Sequence, residues 1–256
     1  MNTIIAPIMS VFSLFVLFYL WARIKDDYSV IDICWGLGFI AQATSVLMTH
    51  TYPSDGHFII SGLVILWALR LSSYIFLRNR KKGEDSRYTE IRKRYGKTAP
   101  LQFFFKVFMV QALLNLLIGS GIILTLTLDT IPMGFFALFG TILAFFALFY
   151  ESLADYQKSL FKKKPQNKGK PCRQGLWYYS RHPNYFGEML FWWALFLFAV
   201  PTAVAPFAWI GAFFICFFLL KLSGVNLLTE KYKREESYVE YLETTHMLFP
   251  WPPKKQ

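Results

Sequence analysis

Apolar positions in this chain come in blocks of about twenty, not at the alternating or three-and-four spacing of half-buried elements. Runs at 4–22, 30–49, 58–77, 103–128, 131–150, 185–200 and 205–222 are dominated by Leu, Ile, Val, Phe, Ala and Trp. A bilayer core takes about 20 residues of helix, so the pattern predicts an all-α, polytopic integral membrane protein with seven transmembrane helices in one domain over 1–256. The sixth run is short and bounded by Pro183 and Pro201, which predicts a helix packed among its neighbours that spans poorly. The first run lacks a basic leader and a small-residue cleavage site, so it reads as a retained helix and not a signal peptide.

The polar segments between the runs carry an orientation. THTYPSDGH, DT and PTAVA, after runs two, four and six, hold no Lys or Arg, whereas the segments after runs one, three, five and seven hold nearly all of them. By the positive-inside rule this places the N-terminus outside and the C-terminus in the cytosol of a multi-pass protein. Composition agrees: 55% of residues are hydrophobic, 19% aromatic and 17% charged, less charge than the ~25% of soluble domains. The +11 formal charge on so apolar a chain argues against a nucleic-acid partner and for membrane lipids. Residues 78–97 hold nine Lys/Arg against three acids, and 158–173 hold seven with no acid. These charges either orient the chain on anionic lipid or form a phosphate-binding mouth. Cys34, Cys172 and Cys216 show no pairing pattern, and four scattered histidines give no metal-ligand spacing; no metal is expected.

Ionisable groups inside hydrocarbon are functional candidates by default. Asp32 lies near the start of run two, where it either caps the helix or serves chemistry. Arg70, Tyr74 and Arg78 recur every four residues on one face of run three; Arg78 could snorkel, but Arg70 lies about two turns in and needs an anion or a wet cavity. The segment GLWYYSRHPNYFGE (175–188) puts Pro183 where a first helical turn tolerates it, placing His182, Asn184 and Glu188 at a membrane mouth. An amide and a carboxylate four residues apart can grip a carboxamide or a pair of ribose hydroxyls, and Gly187 permits close approach of a backbone or flat ring. The tail LLTEKYKREESYVEYLETTHMLFPWPPKK reads as an amphipathic helix ending at Pro250, a surface anchor in its plainest interpretation.

GLWYYSRHPNYFGE, ESLADYQKSLFKK, RLSSYIFLRNR and the FPW-ending tail together resemble the steroid 5-alpha-reductase family, more narrowly its bacterial multi-pass, DUF1295-like branch. The resemblance implies a seven-helix enzyme that binds NADPH from the cytosol, mainly through residues 150–256, and reduces the C=C of a lipophilic enone such as a 3-oxo-4-ene steroid. It puts cofactor contacts at Asn79, Arg80, Asp155, Lys162, Tyr179, Asn184 and Glu188, and around Glu230 and Tyr232. The choice of NADPH over NADH rests on this likeness alone. The family's ketone-polarising tyrosine aligns with Ala68, and its glutamate has no counterpart, so Tyr74 is expected as proton donor, tuned by Asp32 or Arg70. Burial would raise the pKa of Asp32 and let it donate while protonated. Arg80, Lys162 and Arg173 are candidates for the cofactor phosphates, with His182 beside them, and the enzyme is read as a monomer. RHPxYxG also resembles isoprenylcysteine carboxyl methyltransferases, which bind S-adenosylmethionine at that helix entrance; Glu235 and Glu236 could supply their acidic pair.

Overall fold

The computed structural model describes residues 2–80, 83–223, 225 and 236–253. Among them there is no strand, only an isolated parallel bridge between Ser180 and His246. The helices are α1 (Asn2–Lys25), α2 (Ile31–Thr49), α3 (Asp55–Asn79), α4 (Ser86–Tyr95), α5 (Ala99–Gln102), α6 (Val110–Leu126), α7 (Phe135–Lys163), α8 (Leu176–Tyr179), α9 (Pro183–Phe196), α10 (Ala205–Phe217) and α11 (Glu236–Thr244). Among the described residues, five helical segments are long and apolar enough to cross a membrane: Thr3–Lys25, Tyr28–Thr49, Asp55–Asn79, Ser86–Leu126 and Phe135–Lys163; Ala205–Lys221 is a shorter apolar helix.

Two departures from the apolar pattern have local causes. The sixth run forms only the 14 residues of α9, about 21 Å of helix against a core of ~30 Å, because residues 197–204 turn before Pro206. The basic segment 78–97, expected as a loop, contains α4. Asp85 caps it by accepting from the Arg87 amide at 3.0 Å, and Gly96 ends it at φ +51°, a conformation glycine adopts freely.

The chain forms two compact units, Met1–Ala137 with Phe198–Gly211, and Leu138–Leu197 with Ala212–Gln256. The first is built on α1, α2, α3 and α6. Its core joins Val11, Phe15, Ile31, Cys34, Phe103 and Phe108, and the Tyr28 ring stacks on Phe103 at 3.7 Å. Between α2 and α6, Gln42 Nε2 donates to Asn115 Oδ1 at 2.7 Å and Asn115 Nδ2 to the Trp35 carbonyl at 2.9 Å. Such amide bonds hold helices together where lipid offers no hydrophobic drive. Gly119 leaves room for them, since a Cβ there would stand 1.7 Å from Gln42 Oε1.

The second unit contains most of α7, with α8, α9 and α11. Ala154, Cys172 and Trp177 form its small core with Phe161 and Leu176, and Trp177 Nε1 donates to the Ala154 carbonyl at 2.8 Å.

Candidate functional site

One face of α7 organises the second unit. Glu151, Asp155, Lys158 and Lys162 follow each other at helical spacing, which aligns them along about 16 Å of the axis. At the upper end of this stripe α9 comes very close: a Cβ on Gly187 would lie 2.8 Å from Glu151 Cβ and 3.0 Å from its Cα. The glycine, expected to admit a backbone or a ring, therefore admits the backbone of α7. One turn earlier on α9, Asn184 Nδ2 donates to Asp155 Oδ1 at 3.3 Å. Glu151, Asp155 and Glu188 are all buried. The structure thus brings Asp155 and Asn184 together and sets Glu188 one turn beyond Asn184. His182, 3% exposed, stacks on Tyr185. Burial, reinforced by the charges of Lys158 and Arg181, pushes its pKa down to about 3, so its imidazole is neutral.

At the other end lies a cavity of about 240 Å³ whose walls include Lys158, Lys162, Lys170 and Arg181, together with Trp177, Tyr238, Tyr241 and Cys172. Among the described residues, four cations line it and no carboxylate does. Lys158 Nζ sits 3.7 Å from the centroid of the Trp177 ring, a cation–π contact that holds the ammonium in place. Among the described residues Arg181 Nε is buried without a hydrogen-bond partner, and burial lowers the pKa of this guanidinium. Like charges gathered around a concave space raise the local concentration of anions, and an unpaired buried donor is costly until something accepts from it. The cavity suits a phosphate-bearing molecule. Its volume is below the ~300–1,000 Å³ of whole-ligand pockets, so it fits the anionic end of a longer ligand.

The C-terminal segment builds the wall of this cavity. Tyr241 donates to the Trp177 carbonyl at 2.9 Å, Ser180 Oγ to the Leu248 carbonyl at 2.7 Å, and the Arg181 amide to the His246 carbonyl at 2.8 Å. Tyr238 donates to the Lys170 carbonyl at 3.1 Å. Tyr241, Thr245 and Leu248 are buried. The tail is therefore packed onto the turn that launches α9, a correction to its reading as a surface anchor. Its amphipathic face covers protein.

Other residues singled out from the sequence have these positions. Arg173 pairs with Glu240 at 2.8 Å and lies over the Tyr241 ring, so its charge already serves to fasten the tail. Tyr179 is exposed, and its carbonyl accepts from the Trp251 amide at 3.3 Å. Lys162 lines the cavity. In the first unit, Arg78 lies over the Tyr74 ring and donates to Asn79 Oδ1 at 3.2 Å; Arg80 caps the end of α3, and Arg70 is half-buried on the same helix. Asp32 is held by two side chains of α4. It receives the Tyr88 hydroxyl at 2.6 Å and Arg87 Nη2 at 2.7 Å. Glu230, Tyr232 and Glu235 lie outside the described residues, as does the side chain of Glu236.

Lys158, Lys170 and Arg181 were missed as site residues. Lys158 carried a signal, three residues beyond Asp155 on the same helical face. Lys170 carried only its place in the acid-free basic run 158–173, and Arg181 carried none, because only folding brings two separate loops to one cavity.

A family model described as "Protein of unknown function (DUF1295)" matches residues 18–245. The chain belongs to the DUF1295 family. "Uncharacterized protein C594.04c" of Schizosaccharomyces pombe is similar to this DUF1295 protein, 25% identical over 260 residues that cover 90% of this chain and 71% of the yeast one. No solved structure matches.

Proposed function

We propose that this DUF1295 protein is an NADPH-dependent membrane reductase that transfers hydride to the C=C of a lipophilic enone, a 3-oxo-4-ene steroid or steroid-like lipid. It works as a seven-crossing monomer with its N-terminus outside and its C-terminus cytosolic. The observation that carries the reading is the polar stripe of α7, with buried amide and carboxylate groups at one end and a cationic, aromatic cavity at the other. A dinucleotide has matching ends: a carboxamide and ribose hydroxyls to be gripped, and phosphates to be neutralised.

NADPH, when bound, supplies the hydride. The residues of the chain hold and shield it. Asn184 and Glu188 offer donors and acceptors to the carboxamide or ribose end, and Asp155 orients the Asn184 amide. Lys158, Lys162, Lys170 and Arg181 take the phosphates by charge-assisted hydrogen bonds. His182, neutral and stacked, adds no charge at the junction. On the substrate side, Tyr74 donates to the enone oxygen, where negative charge develops, and a donor aimed there lowers the barrier. Arg70 and Arg78, one turn to either side of Tyr74, favour that charge. Asp32, engaged by Arg87 and Tyr88, has no part in this scheme.

The test is a binding titration of detergent-purified protein with NADPH, NADH and S-adenosylmethionine, followed by tryptophan fluorescence. NADPH should bind, and K158A/K162A should weaken it by about 10²-fold or more, since each charge-assisted contact is worth ~1.5–3 kcal/mol. Asn184→Ala should weaken NADPH and NADH alike. Binding of S-adenosylmethionine without NADPH would establish the methyltransferase reading in place of this one.

A further inference from the structure

At the end of the first unit where α2, α3 and α6 meet, two imidazoles share one carbonyl. His50 Nε2 lies 2.9 Å and His57 Nε2 2.8 Å from the Leu128 oxygen, and the ring centroids are 4.4 Å apart. His50 is the C-cap of α2, His57 is the third residue of α3, and Leu128 follows the last turn of α6. The opposite nitrogens are also engaged. His50 Nδ1 accepts from the Tyr52 amide at 3.2 Å and His57 Nδ1 from the Ser54 amide at 3.0 Å. Ser54 Oγ, which accepts from the Ile131 amide at 3.4 Å, is 2.8 Å from the same His57 nitrogen. His57 is fully buried.

These contacts determine the tautomer. A carbonyl only accepts, so each Nε2 carries a hydrogen; a backbone N–H only donates, so each Nδ1 carries none. Both rings are held neutral. An imidazole gains its second proton at the nitrogen that lacks one, here the atom facing a backbone donor. Protonation therefore opposes N–H to N–H, undoes the cap of α3, and sets two cations side by side. The same tautomer leaves no lone pair on Nε2 and turns each Nδ1 lone pair to a backbone N–H. At this end of the elements that meet here the other ionisable side chains are Tyr52 in the turn, Asp55 in the first turn of α3 and Asp129 after α6, all exposed. The last turn of α2 has none, and α1 before Arg23 has only Tyr19.

We infer that His50 and His57 form an acid-released latch that fastens the α2–α3 turn to the end of α6 at neutral pH and lets it go as the rings protonate. The inference is independent of the reductase reading.

Hydrogen exchange of the protein in lipid nanodiscs, corrected for intrinsic rates, tests it on the peptides covering 50–57 and 126–131. Protection of these segments should fall at least tenfold between about pH 7.5 and about pH 5.0, because one linked proton permits up to a tenfold change per unit below ~6.5. In H50Q/H57Q the pH dependence should vanish. Unchanged wild-type protection would overturn the latch, as would an undiminished pH response in the double variant. Should that variant fail to fold, ¹⁵N spectra of histidine-labelled wild-type protein decide: two rings must be Nε2–H tautomers at neutral pH and lose that signature in acid. Nδ1–H tautomers for this pair would refute the proposal.

Discussion

Gly187→Ala tests the architecture of the candidate site at its tightest point. The new methyl would begin 2.8 Å from Glu151 Cβ and 3.0 Å from Glu151 Cα and N. None of these atoms can rotate away, so α9 must withdraw from α7 by roughly 0.6 Å to reach an ordinary contact of about 3.4 Å. The Asn184–Asp155 hydrogen bond, already 3.3 Å long, would stretch to about 3.9 Å, beyond hydrogen-bonding reach. Overpacking costs ~1–3 kcal/mol, and alanine returns up to ~1 kcal/mol of helix propensity. The expected net loss is about 1 kcal/mol, a fall of roughly 2–4 °C in melting temperature for a chain of this size. NADPH affinity should drop with it, because Asn184 loses its orientation. The assay pairs a thermal melt in detergent with the fluorescence titration. Gly62→Ala is the control, since a Cβ there meets nothing within 4 Å, and it should lower neither quantity. A Gly187→Ala protein as stable and as avid for NADPH as wild type would refute both the helix contact and the role given to Asn184.

Acid should destabilise the second unit through His182. Its folded pKa of about 3 lies below the ordinary 6.5, so the unfolded chain takes up the proton first. The stabilisation is complete above about pH 6.5 and is lost toward pH 3 at up to ~1.4 kcal/mol per unit, about 2 kcal/mol by pH 5. His182→Gln should shrink that loss in pH-dependent melts, and an equal loss in the variant would show that His182 is not buried and neutral. Asp32 separates a buried hydrogen bond from a surface ion pair. Asp32→Ala leaves the buried Tyr88 hydroxyl without its acceptor and should cost about 1–3 kcal/mol. Arg87→Ala, at a side chain 61% exposed, should cost no more than about 1 kcal/mol, and Asp32→Asn should resemble it. Equal losses for Asp32→Ala and Arg87→Ala would assign the site to the ion pair instead.

The apolar blocks by themselves determined that this is an all-helical membrane protein, because burying backbone in lipid leaves helices as the only outcome for blocks of that length. They also located the start of α9, since Pro183 tolerates few other positions, and made Gly187 a point of close approach. Spacing along one helix was enough to align Asp155 with Lys162. Membership in the family was visible in contiguous motifs for the same reason: they are local. Whatever depended on residues far apart in the chain was decided by tertiary structure. Lys170 and Arg181 become partners of Lys158 only when two loops and the tail close around one cavity. Arg173 passes from a free cation to a fastener through Glu240, and Asp32 becomes an acceptor because Asp85 starts a helix that presents Arg87 and Tyr88 to it. The two imidazoles on the Leu128 carbonyl are 71 and 78 residues distant from it. No periodicity records such a meeting, because the energy that selects it comes from packing and from pairing buried polar groups, and neither exists until the chain has folded.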